Sequence, residues 1–371
     1  MATQTVTIPE TMQACQMVEF NKPHQIRSIP APQPSELRPF EVLIKVAVPS
    51  LCHSDLEYMK GTFPIALPVT ASHEGTGTVV ATGNDVTRFK PGDRVLAGQT
   101  FGRCGECDVC HGPEPNRHYC EKREPMMSVG GRNGAFQEYL VIDGREASPI
   151  PDKMSFVTAA PLACAGMTVW RAIKNAGLEP GEWLGIIGSG GGLGHLGIQF
   201  AKKVFGLKVV AVDARDEGLA LSREAGADLV VDARQGKDAV AKEVKEATGK
   251  GVHAVLELSG HPSAAENGTA ITRNHGRFVQ VAIADKLPIP VLEMIFKDLH
   301  VLSSFMASQQ ETEAMLNAFV EHNIHLENNV FNGLAEIPKA VEMAQKAQYR
   351  GKACFIVDKE AVGLQPGDGR V

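Results

Sequence analysis

Hydrophobic positions in the middle of the chain follow the order strand, turn, helix, strand. A short apolar run over 184–187 is bounded by turn residues, which is typical of a buried strand. Six glycines lie between 188 and 197, and apolar residues over 193–204 recur with the spacing of one helical face. A second apolar strand over 208–212 ends in Asp213. The pattern predicts a βαβ unit whose first turn is rich in glycine.

This order favours a dinucleotide-binding unit over the alternative of a merely flexible glycine loop. Glycines let the backbone approach a pyrophosphate, helix N–H groups bind it, and an acid about 20 residues further on binds the adenosine ribose. Asp213 lies 19 residues after Gly194. The literal G-x-G-x-x-G over 192–197 starts too far into the helix, so we place the phosphate turn at 188–194. The predicted cofactor contacts here are Gly188, Gly191, Gly192, Leu193, Gly194 and Asp213.

The rest of the chain divides around this unit. From about residue 158, strands alternate with helices, beginning with one helix predicted over 159–174. Six strands with crossover helices predict an α/β fold with a doubly wound parallel (Rossmann) sheet. Earlier residues, including the alternating run 41–48, predict a mainly β domain. The predicted domains are 1–163 (β-rich), 164–305 (dinucleotide-binding), 306–358 (return to the first domain) and 359–371 (a disordered tail).

Composition excludes several classes of protein. A chain of 371 residues is long enough for two domains, and 22% charged residues is ordinary for a globular protein. The net charge of −6 gives no support for nucleic acid or an acidic membrane as a partner. We find no run of 18 apolar residues and no secretory signal pattern, so a cytoplasmic location is expected. The eight cysteines are then expected to be reduced.

Four cysteines cluster with the spacing of a metal site. Cys104, Cys107 and Cys110 follow a C-x2-C-x2-C pattern, and Cys120 comes after nine further residues. Four thiolates can close a tetrahedral zinc site, which predicts a structural zinc lobe at about 98–122. His118 is an alternative fourth ligand. A zinc-ribbon nucleic-acid binder is an alternative for the cluster taken alone, and the acidic net charge argues against it.

A second group is spread along the chain and is not a metal site by spacing alone. Its segments are Cys52-His53-Ser54-Asp55, Ala71-Ser72-His73-Glu74-Gly75 and 160–168 around Cys164. Together with the cysteine lobe and the glycine turn, they resemble the zinc-containing alcohol dehydrogenases of the medium-chain dehydrogenase/reductase family. The yeast-like and fungal branch resembles the chain most, because its phosphate turn is also G-x-x-G-G-x-G. The resemblance covers residues 12–358.

The resemblance implies a role for each matching position. Cys52, His73 and Cys164 would hold a catalytic zinc with one position open, oriented by Asp55 and Glu74. Ser54 would pass the alcohol proton away from the metal. The remaining implied contacts are His53 with the cofactor pyrophosphate, Thr168 with the nicotinamide, Lys352 with a phosphate, and Phe63 with the substrate.

The implied fold is a GroES-like catalytic domain joined to the Rossmann domain. The implied activity is reversible hydride transfer between a primary or secondary alcohol and NAD, with two zinc ions per subunit in a homodimer or homotetramer. One alternative is a carbonyl reductase of the same family acting on a larger substrate in a specialised pathway. Another is a non-catalytic dinucleotide-binding protein, against which the intact Cys52, His73 and Cys164 argue.

The chain departs from the family at several positions. Ser72 stands where glycine is frequent, and we expect this to matter little. The cysteine lobe has two residues more than usual between its third and fourth cysteines. Glu57 replaces the histidine that often ends the proton relay, and either it accepts the proton or water does. Ser54 is one methyl smaller than threonine, which favours bulkier alcohols. Arg215, near Asp213, could partly neutralise the 2′-phosphate of NADP.

Overall fold

The computed structural model describes residues 7–63, 65–128 and 130–363. They form two compact units. The first unit runs up to Cys164 and also contains 308–316 and the chain from Asn328 on. The second contains 165–307 and 317–327. The prediction assigned all of 306–358 to the first domain and began the second at 164. The structure assigns 306–307 and 317–327 to the second unit and Cys164 to the first.

The first unit is mainly β, as its alternating apolar runs predict. Its regular elements are β1 (Thr11–Met17), β2 (Gln25–Pro30), β3 (Glu41–Leu51), α1 (His53–Met59), β4 (Val69–Thr70), β5 (Glu74–Thr82), β6 (Arg94–Leu96), α2 (Asp108–His111), β7 (Tyr139–Asp143), β8 (Ser148–Pro149) and α3 (Phe156–Ala159).

Strand β3 organises this unit because it pairs with three others, β5, β7 and a later strand, β16 (Lys352–Ile356). It is buried along almost its whole length, so its eleven residues are largely apolar. Close approach between β3 and β5 requires glycine: a Cβ on Gly77 would lie 2.3 Å from the Lys45 carbonyl oxygen. The two ends of β3 and β5 that meet at Ser50 and Glu74 lie next to the candidate metal ligands.

The second unit begins with α4 (Ala165–Ala176) and then alternates strand and helix. Its further elements are β9 (Trp183–Ile187), α5 (Gly194–Lys203), β10 (Lys208–Asp213), α6 (Asp216–Glu224), β11 (Leu229–Asp232), α7 (Lys237–Thr248), β12 (Val252–Glu257), α8 (Ala264–Ile271), β13 (Thr272–Gln280), α9 (Val291–Lys297) and β14 (His300–Ser303).

The six strands of the second unit form one parallel sheet in the order β11-β10-β9-β12-β13-β14. This is the strand order of a doubly wound dinucleotide-binding fold, so the predicted fold class is confirmed. The order reverses at β9: the chain runs from β9 through β10 to β11 on one side, and then returns to β12 on the other side of β9. In such sheets ligands bind at the carboxyl ends of the strands beside this reversal, which is where β9 runs into the glycine turn.

The remaining elements come after β14 in the chain. They are α10 (Gln309–Glu321), whose residues are divided between the two units, β15 (Asn328–Asn332), α11 (Ile337–Gln345), β16 and α12 (Lys359–Gly363). Residues 359–363, which we expected in a disordered tail, form α12, and the tail from 364 on lies outside the described residues.

Among the described residues, no single helix is long and apolar enough to cross a membrane. The segments Phe156–Ala163 and Ala165–Ala176, bent by 51° relative to each other, reach that length and apolar content only when they are taken together.

The helix predicted over 159–174 is interrupted. A 3-10 turn (Ala160–Ala163) follows α3, and α4 begins only at Ala165. Cys164 separates them, with φ −133° and ψ −63°, outside helical geometry. Pro161 removes a backbone donor from this stretch, which favours the break. Because Cys164 is not within a helix, its sulfur is free to face a site instead of following the helical periodicity.

Candidate metal centres and dinucleotide site

The structure brings together the three residues that the resemblance implies as catalytic ligands. Cys52 caps the start of α1, His73 lies between β4 and β5, and Cys164 lies at the helix break. Their ligand atoms and a Glu74 carboxylate oxygen all lie within 4.8 Å of one another. All four residues belong to the first unit.

The spacing of the sulfurs fits a zinc ion. The Cys52 and Cys164 Sγ atoms are 3.8 Å apart. Two thiolates on one tetrahedral zinc, each about 2.3 Å from the metal, lie about 3.8 Å from each other. Two thiolates, one imidazole and an open position are also the donor set of a catalytic zinc.

The electrostatics of the group also call for a cation. A hydrogen bond with Cys164, and the positive charge of Lys352, lower the pKa of Cys52 well below its usual value, although burial opposes the shift. The same contact with Cys52, together with burial, raises the pKa of Cys164 far above its usual value. Without further positive charge the two thiols therefore do not both ionise near neutral pH. A divalent cation between them supplies that charge.

Asp55 holds the ligands in place. Its Oδ2 accepts a hydrogen bond from the Cys52 N–H at 3.0 Å. Its Oδ1 accepts from the Ser72 N–H at 3.2 Å and the Ser128 hydroxyl at 3.3 Å, and lies 3.6 Å from the His73 Nδ1. One buried carboxylate thus fixes the backbone around two ligands and faces the imidazole of the second, which suits the predicted orienting role.

Ser72 adopts a left-handed backbone conformation, with φ +69°. This explains why glycine is frequent at the position, and it makes the substitution more than the minor change we expected. The hydroxyl compensates: its one O–H has the Ser50 carbonyl oxygen as its nearer acceptor (2.8 Å) and that of Glu74 as its second (3.1 Å), and its oxygen accepts from the Glu74 N–H. The strained residue directly before His73 is therefore held by hydrogen bonds to two strands.

Glu74 is paired with Lys352, 278 residues further along the chain. The Lys352 Nζ donates to Glu74 Oε1 at 2.7 Å, and the Ser50 hydroxyl donates to Oε2. Burial raises the pKa of Glu74 to about 7 although Lys352 opposes the shift. Lys352 is 5% exposed, so its ammonium neutralises a carboxylate beside the metal group. The phosphate contact implied for Lys352 remains a prediction.

Ser54, Glu57 and His53 lie on or near α1, beside the metal group. The Ser54 hydroxyl is 3.8 Å from the Cys52 sulfur. Glu57 accepts a hydrogen bond from the Lys60 ammonium at 2.6 Å and lies 3.4 Å from the His53 Nε2. The His53 side chain is 79% exposed, which leaves it accessible to an anionic ligand. Phe63 stacks on Tyr58 with 4.5 Å between ring centroids.

The four lobe cysteines form the second metal group. The Sγ distances are 3.9 Å from Cys104 to Cys110, 3.7 Å from Cys107 to Cys120 and 3.6 Å from Cys120 to Cys104. These values fit a tetrahedral zinc with four sulfur ligands. Backbone N–H groups of Glu106 and Cys107 lower the pKa of Cys104 to about 6, which favours the thiolate that binds metal. The cluster contains Cys120 and not the alternative ligand His118.

In the second unit, the glycine turn occupies 188–193, between the end of β9 and the start of α5. Gly188 has φ +80°, and a Cβ there would lie 3.0 Å from the Ser259 Cβ. Asp213, at the end of β10, accepts hydrogen bonds from the N–H groups of Gly190, Ala214 and Arg215. Asp213 therefore lies beside the turn, as its sequence spacing predicts. Thr168 is half-buried in α4 of the same unit.

Sequence reasoning missed Glu257 at the end of β12. It is 2% exposed, and its Oε1 accepts from the Ser259 N–H and hydroxyl and from the Gly260 N–H. Its Oε2 accepts from the Gln280 amide at 2.7 Å. This carboxylate holds the Ser259-Gly260 turn against Gly188. An acid at a strand end, with Ser-Gly two residues further on, was the available sequence signal.

A β-rich unit with two thiolate metal groups, joined in one chain to a doubly wound sheet, defines a metal-dependent dehydrogenase. Two family models match it: "Alcohol dehydrogenase GroES-like domain" over residues 38–152 and "Zinc-binding dehydrogenase" over 192–321. The alcohol dehydrogenase of Geobacillus stearothermophilus is 34% identical over 94% of this chain and all of its own length. The chain belongs to the zinc-containing alcohol dehydrogenases of the medium-chain dehydrogenase/reductase family.

Three further relatives are also named alcohol dehydrogenases. Alcohol dehydrogenase 1 of Emericella nidulans is also 34% identical, over 94% of this chain and 98% of its own. The solved structure of the alcohol dehydrogenase from the archaeon Aeropyrum pernix has a TM-score of 0.84 at 29% identity, covering 93% of this chain and 99% of that one. A structure named NAD-dependent alcohol dehydrogenase has a TM-score of 0.84 at 26% identity, covering 94% and 100%. These names favour alcohol oxidoreduction over the reductase alternative.

The two metal groups are expected to have different consequences when damaged. Cys164→Ala should abolish turnover and leave the free energy of unfolding near that of wild type, because it removes one ligand of an open site. Cys107→Ala should lower that free energy by about 3 kcal/mol or more, because the lobe loses its metal. Zinc per chain, by elemental analysis, should be two in wild type and one in each variant.

Cys354→Ala is the matched control, since this buried thiol lies outside both metal groups. It should keep two zinc ions and full turnover. One zinc or none in freshly purified, active wild-type protein would contradict the assignment of two sites.

Ser72 provides a second test. Ser72→Ala keeps a side chain in the left-handed conformation and loses the hydroxyl's hydrogen bonds, so it should destabilise the protein by about 1–3 kcal/mol. Ser72→Gly loses the same bonds but relieves the strain, and should fall within about 1 kcal/mol of wild type. Denaturant unfolding of the zinc-loaded protein measures both. Equal stabilities for Ala and Gly would rule out a role for backbone strain at this position.

Proposed function

We propose that this protein oxidises primary and secondary alcohols to aldehydes and ketones with NAD as hydride acceptor, reversibly, as alcohol dehydrogenases of the 1.1.1.1 type do. The observation that carries the proposal is the buried group of Cys52, His73 and Cys164, whose spacing fits zinc with an open position. The name of the relative with a TM-score of 0.84, an NAD-dependent alcohol dehydrogenase, supports the choice of cofactor.

Zinc, when bound, supplies a Lewis acid for the substrate oxygen. The chain's own residues do the rest. Asp55 and the backbone it bonds keep Cys52 and His73 in place. Ser54, 3.8 Å from the Cys52 sulfur, accepts the hydroxyl proton of the alcohol and passes it on. NAD, when bound, would supply the acceptor for a hydride from the alcohol carbon. The hydride carries both electrons of the C–H bond and the hydroxyl proton leaves separately, so the alcohol becomes an aldehyde or ketone.

The proton path ends in water in our proposal, and Glu57 takes no part in it. Its carboxylate is already held by the Lys60 ammonium at 2.6 Å. Ser54 also leaves more room in the pocket than threonine, so alcohols bulkier than ethanol, including some secondary and aromatic ones, are the proposed substrates.

The deciding experiment combines zinc content with NADH formation across a panel of primary, secondary and aromatic alcohols. Activity that disappears with a chelator and returns with zinc supports the proposal. Zinc-loaded protein that binds NAD and oxidises none of the alcohols would overturn it.

The hydrogen bonding of Asp213 supports NAD over NADP. Its Oδ1 accepts from two N–H groups, and its Oδ2 accepts from the Gly190 N–H at 2.9 Å. A carboxylate oxygen has two acceptor sites, so among the described residues Oδ2 keeps one for a ribose hydroxyl. Its negative charge repels a 2′-phosphate. Arg215, whose Nε is 3.5 Å from Oδ1, offsets part of that repulsion.

Cofactor preference follows from these two charges. The ratio of kcat/KM for NAD to that for NADP should exceed one in wild type and fall roughly tenfold or more in Asp213→Asn, which keeps an acceptor for Gly190 and removes the charge. Arg215→Ala should raise the ratio. An equal or higher kcat/KM with NADP in wild type would show that Asp213 does not set the preference.

Within the family, we place the chain nearest the yeast-like and fungal branch. The phosphate turn with Gly188, Gly191, Gly192 and Gly194 supports this. We also propose a cytoplasmic location, because the cysteines of both metal groups must stay reduced to bind zinc.

We propose that the protein is a homo-oligomer built on a dimer through β14. Exposed apolar side chains concentrate there: of the twelve large ones among the described residues, nine lie between 283 and 305. They are Ile283, Leu287, Val291, Leu292, Ile295, Phe296, Val301, Leu302 and Phe305. β14 is the last strand of its sheet and all four of its residues are exposed. Antiparallel pairing with β14 of a second copy covers the same patch on both partners, as two-fold symmetry requires.

Leu302→Glu should dissociate the oligomer, because it places a charge in the centre of a buried apolar contact. Light scattering at several protein concentrations measures the mass. Ile26→Glu, at a comparably exposed apolar residue on β2, should leave the mass unchanged. A wild-type mass of one chain, or an unchanged mass in Leu302→Glu, would refute this interface.

A further inference from the structure

One polar row on α5 contacts the chain segment 323–327. Its members, His195, Gln199 and Lys203, are spaced four residues apart and so share a helical face. Their partners are backbone groups of Asn323, His325 and Glu327, which alternate along the segment leading into β15. All of these residues belong to the second unit.

The contacts run antiparallel. The Lys203 ammonium donates to the Asn323 carbonyl at 2.9 Å. The Gln199 amide donates to the His325 carbonyl at 2.7 Å and accepts from the His325 N–H at 2.9 Å. The His195 Nε2 accepts from the Glu327 N–H at 3.2 Å.

The rise per residue of a helix and of an extended chain explains why the contacts repeat. Four residues of helix rise about 6.0 Å. Alternate residues of an extended chain lie about 6.6 Å apart. Side chains at every fourth position of a helix therefore match every second residue of an extended segment, and the row satisfies backbone groups that would otherwise need a neighbouring strand.

His195 makes a second contact, with the glycine turn. Its backbone N–H donates to the Gly191 carbonyl oxygen at 3.2 Å, and its ring Nδ1 lies nearer, 2.8 Å from the same oxygen. Because Nε2 accepts a hydrogen bond, the neutral ring carries its proton on Nδ1, which donates to Gly191. The ring is 1% exposed, so this tautomer and orientation are held by the surrounding structure.

We propose that His195 is a positioning residue for the cofactor pyrophosphate; the proposal rests on the proposed dinucleotide function. In a planar trans peptide, the carbonyl and the following N–H point in opposite directions. Holding the Gly191 carbonyl on the His195 side therefore turns the Gly192 N–H to the other side of the turn. It also prevents the carbonyl oxygen from facing an anion. Gln199 and Lys203 hold the segment 323–327 through its backbone groups, whereas the contact with the Gly191 carbonyl comes from His195.

Two amide substitutions test the ring's contact with the Gly191 carbonyl and its contact with the Glu327 N–H one at a time. In His195→Asn, the shorter amide occupies the place of Nδ1 and can still donate to the Gly191 carbonyl. In His195→Gln, the amide oxygen reaches the place of Nε2 and can still accept from the Glu327 N–H. Gln199→Ala is the matched control, since it breaks the polar row without removing the bond to Gly191.

Affinities for NADH, ADP-ribose and AMP are measured by fluorescence and calorimetry, alongside Tm. We expect His195→Asn to bind ADP-ribose within about threefold of wild type. We expect His195→Gln to bind it about tenfold more weakly or worse, which corresponds to a loss of about 1.4 kcal/mol or more. AMP, which lacks the pyrophosphate, should change less. Gln199→Ala should lower Tm and leave the ADP-ribose affinity near wild type.

Equal ADP-ribose affinities for His195→Asn and His195→Gln, or affinities that follow Tm through all variants including Gln199→Ala, would overturn the positioning role. Wild-type protein that binds neither NADH nor ADP-ribose would instead refute the proposed function. The two failures are therefore distinguishable.

Discussion

The first unit depends on the neutralisation of negative charge that is buried at one point. The thiols of Cys52 and Cys164 and the carboxylates of Asp55 and Glu74 lie together, and an isolated charge in such a place is very costly. Lys352 neutralises Glu74, and hydrogen-bond donors satisfy Asp55. Both sulfurs can be thiolates only with a cation between them, so the metal chemistry arises from this same constraint.

Each ligand of that group lies where regular structure stops. Cys52 precedes the first turn of α1, His73 follows the left-handed Ser72, and Cys164 separates a 3-10 turn from α4. Side chains inside a helix or strand point in directions set by its period. Ligands from three distant segments converge on one centre more easily from irregular backbone, and hydrogen bonds such as those of Ser72 offset the conformational cost.

The second unit stabilises its buried carboxylates differently. Asp213 and Glu257 are each satisfied largely by N–H groups of the turn that follows their own strand or lies next to it. These bonds order the loops at the carboxyl ends of the parallel strands before any ligand binds. A preorganised turn loses less entropy on binding, which favours affinity for a dinucleotide.

The sequence by itself determined what depends on neighbouring residues. Apolar periodicity predicted the six parallel strands, and close spacing predicted the metal lobe from Cys104 to Cys120. The group of Cys52, His73 and Cys164 was accessible only through a family resemblance. Only the tertiary structure decided the break at Cys164, the backbone of Ser72 and the pairing of Glu74 with Lys352. Local propensities act over a few residues, whereas these contacts depend on which strands lie side by side, and that is set by the packing of the whole unit.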